Sequence, residues 1–201
     1  MKKAVLLAAL FPLMLHAQVT YPGSSYAAIG DTFVISSSTT GLGAFNFAQA
    51  GANATWNYAT LPIGTQETRD VLNPNNAGYF TSFITACIFG GGNPFSCPGQ
   101  WNSLTDIAFQ ELDGINLGIA QLNNVVRHYR RNNATLEATV LGVSAGTSGA
   151  TIPYAAVYDH IDTIYHFPIT YLQQDSSDAR LDIDLSALGV PYGYRSGQHR
   201  V

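Results

Sequence analysis

Short runs in which apolar and polar positions alternate fill most of the chain, and turn-forming residues separate them. Thr32-Phe33-Val34-Ile35-Ser36 is a β-branched and aromatic run opened by a Gly30-Asp31 turn. Glu67 to Leu72 alternates charged and apolar residues, as an exposed strand does, and Asn73-Pro74-Asn75-Asn76 stops it. Asp162 to Tyr171 forms a second strong strand pattern, with Pro168 marking an edge or bulge because proline donates nothing to a ladder. Leu181, Ile183 and Leu185 face one way while Arg180, Asp182 and Asp184 face the other. Shorter strand patterns are expected at Val19-Thr20-Tyr21, Tyr154–Tyr158 and Tyr192–Arg195, with a polar loop at Ser37–Gly43 and a small-residue loop at Gly142–Gly149.

Two regions read both ways. Tyr79 to Phe89 suits a strand or a short helix closed by Gly90-Gly91-Gly92. Leu122, Val125, Val126 and Tyr129 fit the helical i, i+3, i+4, i+7 template, yet Val125, Arg127 and Tyr129 also share one face of a strand. The turn Arg131-Asn132-Asn133-Ala134, ahead of Thr135–Val140, favours a hairpin there. Many short strands with Gly, Asn and Pro between them predict an all-β fold: an antiparallel β-sandwich, jelly-roll-like. Gly51 to Leu61 is read as a turn followed by a strand. Its Trp56 and Tyr58 point to one face and are expected, with Phe167, as core anchors. Trp101 follows a Pro98-Gly99 turn and is the candidate for an exposed binding platform.

The start of the chain alters the picture. Met1-Lys2-Lys3, an apolar run Ala4–Leu15 and the small residue Ala17 form a signal-peptide pattern over residues 1–17, too short to span a bilayer. That leaves residues 18–201 as one domain. Both lysines of the chain lie in the signal, so of its nine basic residues seven arginines remain against 13 acidic residues, a formal charge of −6. This balance excludes nucleic acid and anionic membrane as natural partners. No second apolar run is long enough for a transmembrane helix. Cys87 and Cys97, the only cysteines, are expected to form a disulfide in an exported chain.

Chemistry-bearing patterns are present without their usual context. Gly142-Val143-Ser144-Ala145-Gly146 has the spacing of a nucleophile elbow, and Asp159, His160, Asp162 and His166 follow it. The residues after it are poor helix formers, whereas an elbow needs a strand, a sharp turn and a helix. Asp178, Asp182 and Asp184 have oxygen ligands suited to calcium, but alternation makes them the wet face of a strand. His128, His160, His166 and His199 lack zinc-site spacing, and no cofactor or metal is expected. No carboxylate pair stands out as a glycosidase pair. Arg127, Arg130 and Arg131 read as a solvated hairpin end.

Gly30-Asp31-Thr32, the stretch Gly51-Ala52-Asn53-Ala54-Thr55-Trp56-Asn57-Tyr58 and the stretch Asp162–Tyr171 with Asp175-Ser176-Ser177 behind it, following a signal that ends Ala17-Gln18, together resemble a family of secreted proteins of Bacteroidota. Members commonly carry a C-terminal type IX secretion sorting domain. Here neither that domain nor a preceding Gly-Trp-Gly-Thr-like strand follows, so the chain is expected to be truncated or a short variant. The resemblance implies export and a β-rich cell-surface or extracellular module, with no catalytic residues to carry over. Asp162-Thr163-Ile164 resembles the short acceptor pattern for O-linked glycans in such bacteria. The expected role is binding or structural (adhesion or matrix contact) with surface glycans or extracellular proteins as partners. The alternative is a carbohydrate-binding or carbohydrate-active secreted protein using Trp101 and nearby tyrosines.

Overall fold

The computed structural model describes residues 20–48, 55, 57–112, 115–116, 121–147, 150–170, 173–184 and 193–200. The fold is all-β and antiparallel. Strands β1 (Thr32–Ser37) and β2 (Thr65–Asp70) form a two-stranded ribbon. A larger sheet contains β3 (Ile107–Leu112), β4 (Ile115–Asn116), β5 (Gln121–Arg131), β6 (Thr135–Thr147), β7 (Ala150–His166), β8 (Ser177–Asp184) and β9 (Gly193–Arg200). Its strand order is β3-β5-β6-β7-β8-β9, with β4 beside β5. Two helices, α1 (Phe80–Phe89) and α2 (Cys97–Leu104), lie between β2 and β3 in the chain.

The large sheet rolls. Arg127 of β5 and Ser196 and Gln198 of β9 line one cavity of about 120 Å³. In a flat sheet those strands would stand about 19 Å apart, four spacings of about 4.8 Å. The rolled inner face buries Leu122, Val125, Val143, Ala145, Ala156, Leu181 and Ile183, which makes the architecture sandwich-like. Strand alternation sends the neighbouring positions Ala108, Val126 and Val140 to the opposite face. There Tyr79, Phe83 and Trp101 cover them, so the helices close the outer side. A third cluster, around Ile107, Tyr129, Leu136, Ala138 and Phe167, seals one end.

Local chemistry accounts for the joints. Asn132 accepts from the N–H groups of Ala134 and Thr135, both at 2.7 Å, and so pins the β5–β6 turn. This settles residues 121–131 as strand and the pair as a hairpin. The Cys87–Cys97 bond is formed and ties α1 to α2. Strand β8 alternates as its sequence does, with Ala179, Leu181 and Ile183 buried.

Several expectations are corrected. Residues 142–147 continue β6 instead of forming a loop, because Leu141, Val143 and Ala145 have an inner core to enter. The patterns at Tyr154–Tyr158 and from Asp162 are one continuous strand, β7, with irregularities in its pairing. The Val19–Tyr21 strand reduces, among the described residues, to a bridge between Tyr21 and Ile169. In the Gly51–Leu61 stretch, residues 51–54 and Trp56 lie outside the described residues, and Thr55 and residues 57–60 are not strand. Tyr58 is 36% exposed and stacks on Phe47 at 5.4 Å, with Phe45 at 5.6 Å. It belongs to a surface aromatic group and is not a core anchor, because more than a third of its surface stays open to solvent. Phe167 is buried in the end cluster, as expected.

Candidate functional site

The residues beyond the end of β7 are held from three sides. Phe167 donates its N–H to the Ala134 carbonyl at 2.7 Å, and Tyr21 and Ile169 exchange two backbone bonds of 2.9 Å. A Cβ on Gly23 would lie 2.8 Å from the Phe167 ring and 2.9 Å from the Asn132 carbonyl, so only glycine lets the N-terminal segment approach this closely. Arg131 clamps that segment by donating to the carbonyls of Tyr26 (2.9 Å) and Ala27 (2.6 Å).

This packing gathers aromatic rings far apart in sequence. Phe167 is the buried hub, with the rings of Tyr21, Tyr26 and Tyr165 centred 6.2 to 6.4 Å from it. Tyr21 and Tyr165 keep 39% and 42% of their surface exposed. Burial, and then the neighbouring Tyr165 and Tyr21, push the Tyr26 phenol above its usual value, so it stays a neutral hydrogen-bonding group. Beside Tyr165 an open groove of about 600 Å³ is lined by His166, Ile169, Gln173, Gln174 and Asp175. His166 Nδ1 lies 2.8 Å from an Asp175 carboxylate oxygen. Gln173 donates to the His166 carbonyl at 3.1 Å and accepts from the Thr170 N–H at 3.0 Å. An aromatic face bordered by fixed amide and carboxylate groups suits a ligand with both an apolar face and hydroxyls.

No family model, curated protein or solved structure matches this chain.

The residues singled out from sequence have other surroundings. Trp101 corrects the expectation of an exposed platform: it lies on α2 and is fully buried, donating its indole N–H to Asn75 Oδ1 at 2.9 Å. Pro98 is the overlooked signal, since proline in a first helical turn starts a helix more readily than it ends a loop. Ser144 sits mid-strand opposite Pro153 and shares a 3.1 Å hydrogen bond with Tyr79. Asp159 lies six positions along β7 from Pro153, about 20 Å at ~3.3 Å per residue, and Asp162 and His166 are further still. The elbow pattern therefore joins no acid or base from that set.

Asp182 is occupied by Arg195, through bonds of 2.7 and 2.8 Å, and by Arg180 at 3.0 Å. The Arg195 hydrogen bonds foremost, then that of Arg180, hold its carboxyl at about 2. Asp178 faces His199 at 2.7 Å. Among the described residues no three His, Cys, Asp or Glu side chains converge on a point where a metal would sit. The three hairpin arginines are separately engaged and do not form a solvated cluster. Arg130 pairs with Glu137 at 2.6 Å, Arg131 clamps the N-terminal segment, and Arg127 lies 3.6 Å from Glu111. Burial lowers the affinity of Arg127 for its proton, but Tyr129, Tyr158 and Glu111 outweigh it and hold the guanidinium above its ordinary value. Thr163, in the glycan-acceptor pattern, is half-buried within β7, and its N–H bonds Ser177 Oγ at 2.9 Å.

Proposed function

We propose that the protein is an exported, cell-surface or extracellular β-sandwich module that acts by binding. The Cys87–Cys97 bond supports export, because disulfides persist in oxidising compartments. The signal-like residues 1–17 and the resemblance to secreted Bacteroidota proteins agree with it. The observation that carries the binding role is the open groove beside Tyr165, where an exposed ring stands next to polar groups already fixed in position.

A carbohydrate ligand is the second reading, and the same exposed tyrosines favour it over the buried Trp101. A sugar ring would lie against Tyr165 while Gln173, Gln174 and Asp175 meet its hydroxyls. Titration calorimetry against a panel of neutral and acidic polysaccharides tests this. Tyr165→Ala is expected to weaken a bound glycan by roughly tenfold, about the worth of one aromatic contact. A panel without a binder retires the carbohydrate reading and leaves a protein partner. Hydrolase turnover abolished by Ser144→Ala would overturn the binding role altogether. Intact mass of the protein recovered from outside its cell checks export: the chain should begin at Gln18 and gain two hydrogens on reduction.

A further inference from the structure

The disulfide closes a loop whose tip is aromatic and uncharged. Phe89 is 87% exposed and Phe95 94% exposed, and Ile88 beside them is 38% exposed. Large apolar side chains this open, two on one tip, mark an interaction site more often than a random surface does. Three observations identify the partner. From Val71 to Thr105, a stretch that includes both helices and the loop, there is no Asp, Glu, Lys, Arg or His. The tip also bonds most of its backbone donors internally. Gly90 donates to Ala86, Gly91 to Ile88 and Gly92 to Cys87, while Ser96 and Cys97 both donate to the Asn93 carbonyl and Phe95 to its side chain. The third is exposure: Phe89 and Phe95 stand almost wholly open, so their rings are free to enter a partner. Gly92 completes it, since a Cβ there would lie 2.7 Å from both the carbonyl oxygen and the sulfur of Cys87.

A loop that docks on a protein can leave backbone donors for its partner. A loop that enters hydrocarbon must pair them internally and bring no charge. We infer that the Phe89–Phe95 tip inserts shallowly into the interfacial zone of a lipid bilayer with zwitterionic head groups. The absence of cations from residues 71–105, and the acidic balance of the chain, favour zwitterionic over anionic lipid. The inference does not depend on the Tyr165 groove.

Vesicle flotation of the full, oxidised chain with phosphatidylcholine tests it. Phe89→Ser with Phe95→Ser is expected to weaken partitioning about a hundredfold, at least tenfold for each ring, with no dependence on salt. Both side chains are exposed, so the variant should fold; circular dichroism and a thiol titration check this. A second readout is specific to the tip. Phe95→Trp should be quenched by brominated phosphatidylcholine, whereas Phe47→Trp, also exposed but packed with Phe45 and Tyr58, should not. Equal flotation of wild type and the double variant would overturn the inference, as would absence of quenching at Phe95→Trp. So would binding confined to anionic vesicles, or tip-dependent association with a protein or a second copy without lipid quenching.

Discussion

His128 gives the protein a pH dependence that one substitution should remove. The ring lies on the helix-facing side of β5, fully buried, with the Trp101 ring 4.9 Å away and Tyr79 at 6.0 Å. Neither ring nitrogen has a hydrogen-bond partner in the described structure. Burial lowers its pKa from 6.5 to about 4; the backbone of Val140 and Val126 favours the proton but does not meet the ring in bonding geometry. The helices over it carry no charge to compensate a cation. Because the folded pKa is depressed, unfolded chains take up the proton first as pH falls. Stability attributable to this group is complete above pH 6.5 and is lost progressively down to about pH 4. The interval of 6.5 minus 4, at about 1.4 kcal/mol per pH unit, gives a loss of about 3 kcal/mol. Urea denaturation across this range, on wild type and His128→Leu, measures it. Wild type should lose about 3 kcal/mol more than the variant between those limits. At neutral pH the variant should be close to wild type in stability, since it removes two buried nitrogens without partners. His160, His166 and His199 are present in both proteins and cancel. Parallel curves, or an NMR titration of the folded His128 ring near its ordinary pKa, would refute the reasoning.

Two further predictions concern packing. Gly142→Ala should destabilise by about 1–3 kcal/mol or more, because the new Cβ would fall 2.2 to 2.6 Å from the Tyr79 ring; denaturant titration reads it. Replacing Cys87 and Cys97 together by Ala releases a loop with a sequence separation of 10 and should lower stability by about 2–3 kcal/mol. Reductant should lower the unfolding free energy of wild type by a similar amount and leave the variant's unchanged.

What could be read in advance was what neighbouring residues determine. The Cys87–Cys97 bond, the Asn132 turn and the alternation of β8 each depend on groups a few residues apart, so spacing alone carries them. Gly142 shows why the rest was hidden. A Gly-, Ser- and Ala-rich run has weak strand propensity, and it enters β6 because Tyr79, 63 positions earlier, fills the space where a side chain would stand. The burial of Trp101 is hidden for the same reason: its partners Asn75 and His128 lie on other elements, and a local pattern reports hydrophobicity without saying which surface covers it. The aromatic hub next to the candidate groove is the extreme case. Tyr21 and Tyr26 meet Tyr165 and Phe167 only because Gly23 admits a close approach and Arg131 holds the segment there. Sites assembled in this way have no sequence motif. Their trace is a small residue and a clamping cation, each unremarkable alone, that hold one segment against an aromatic hub. That dependence means Gly23 and Arg131 govern the packing of the N-terminal segment against Phe167 without lining the groove.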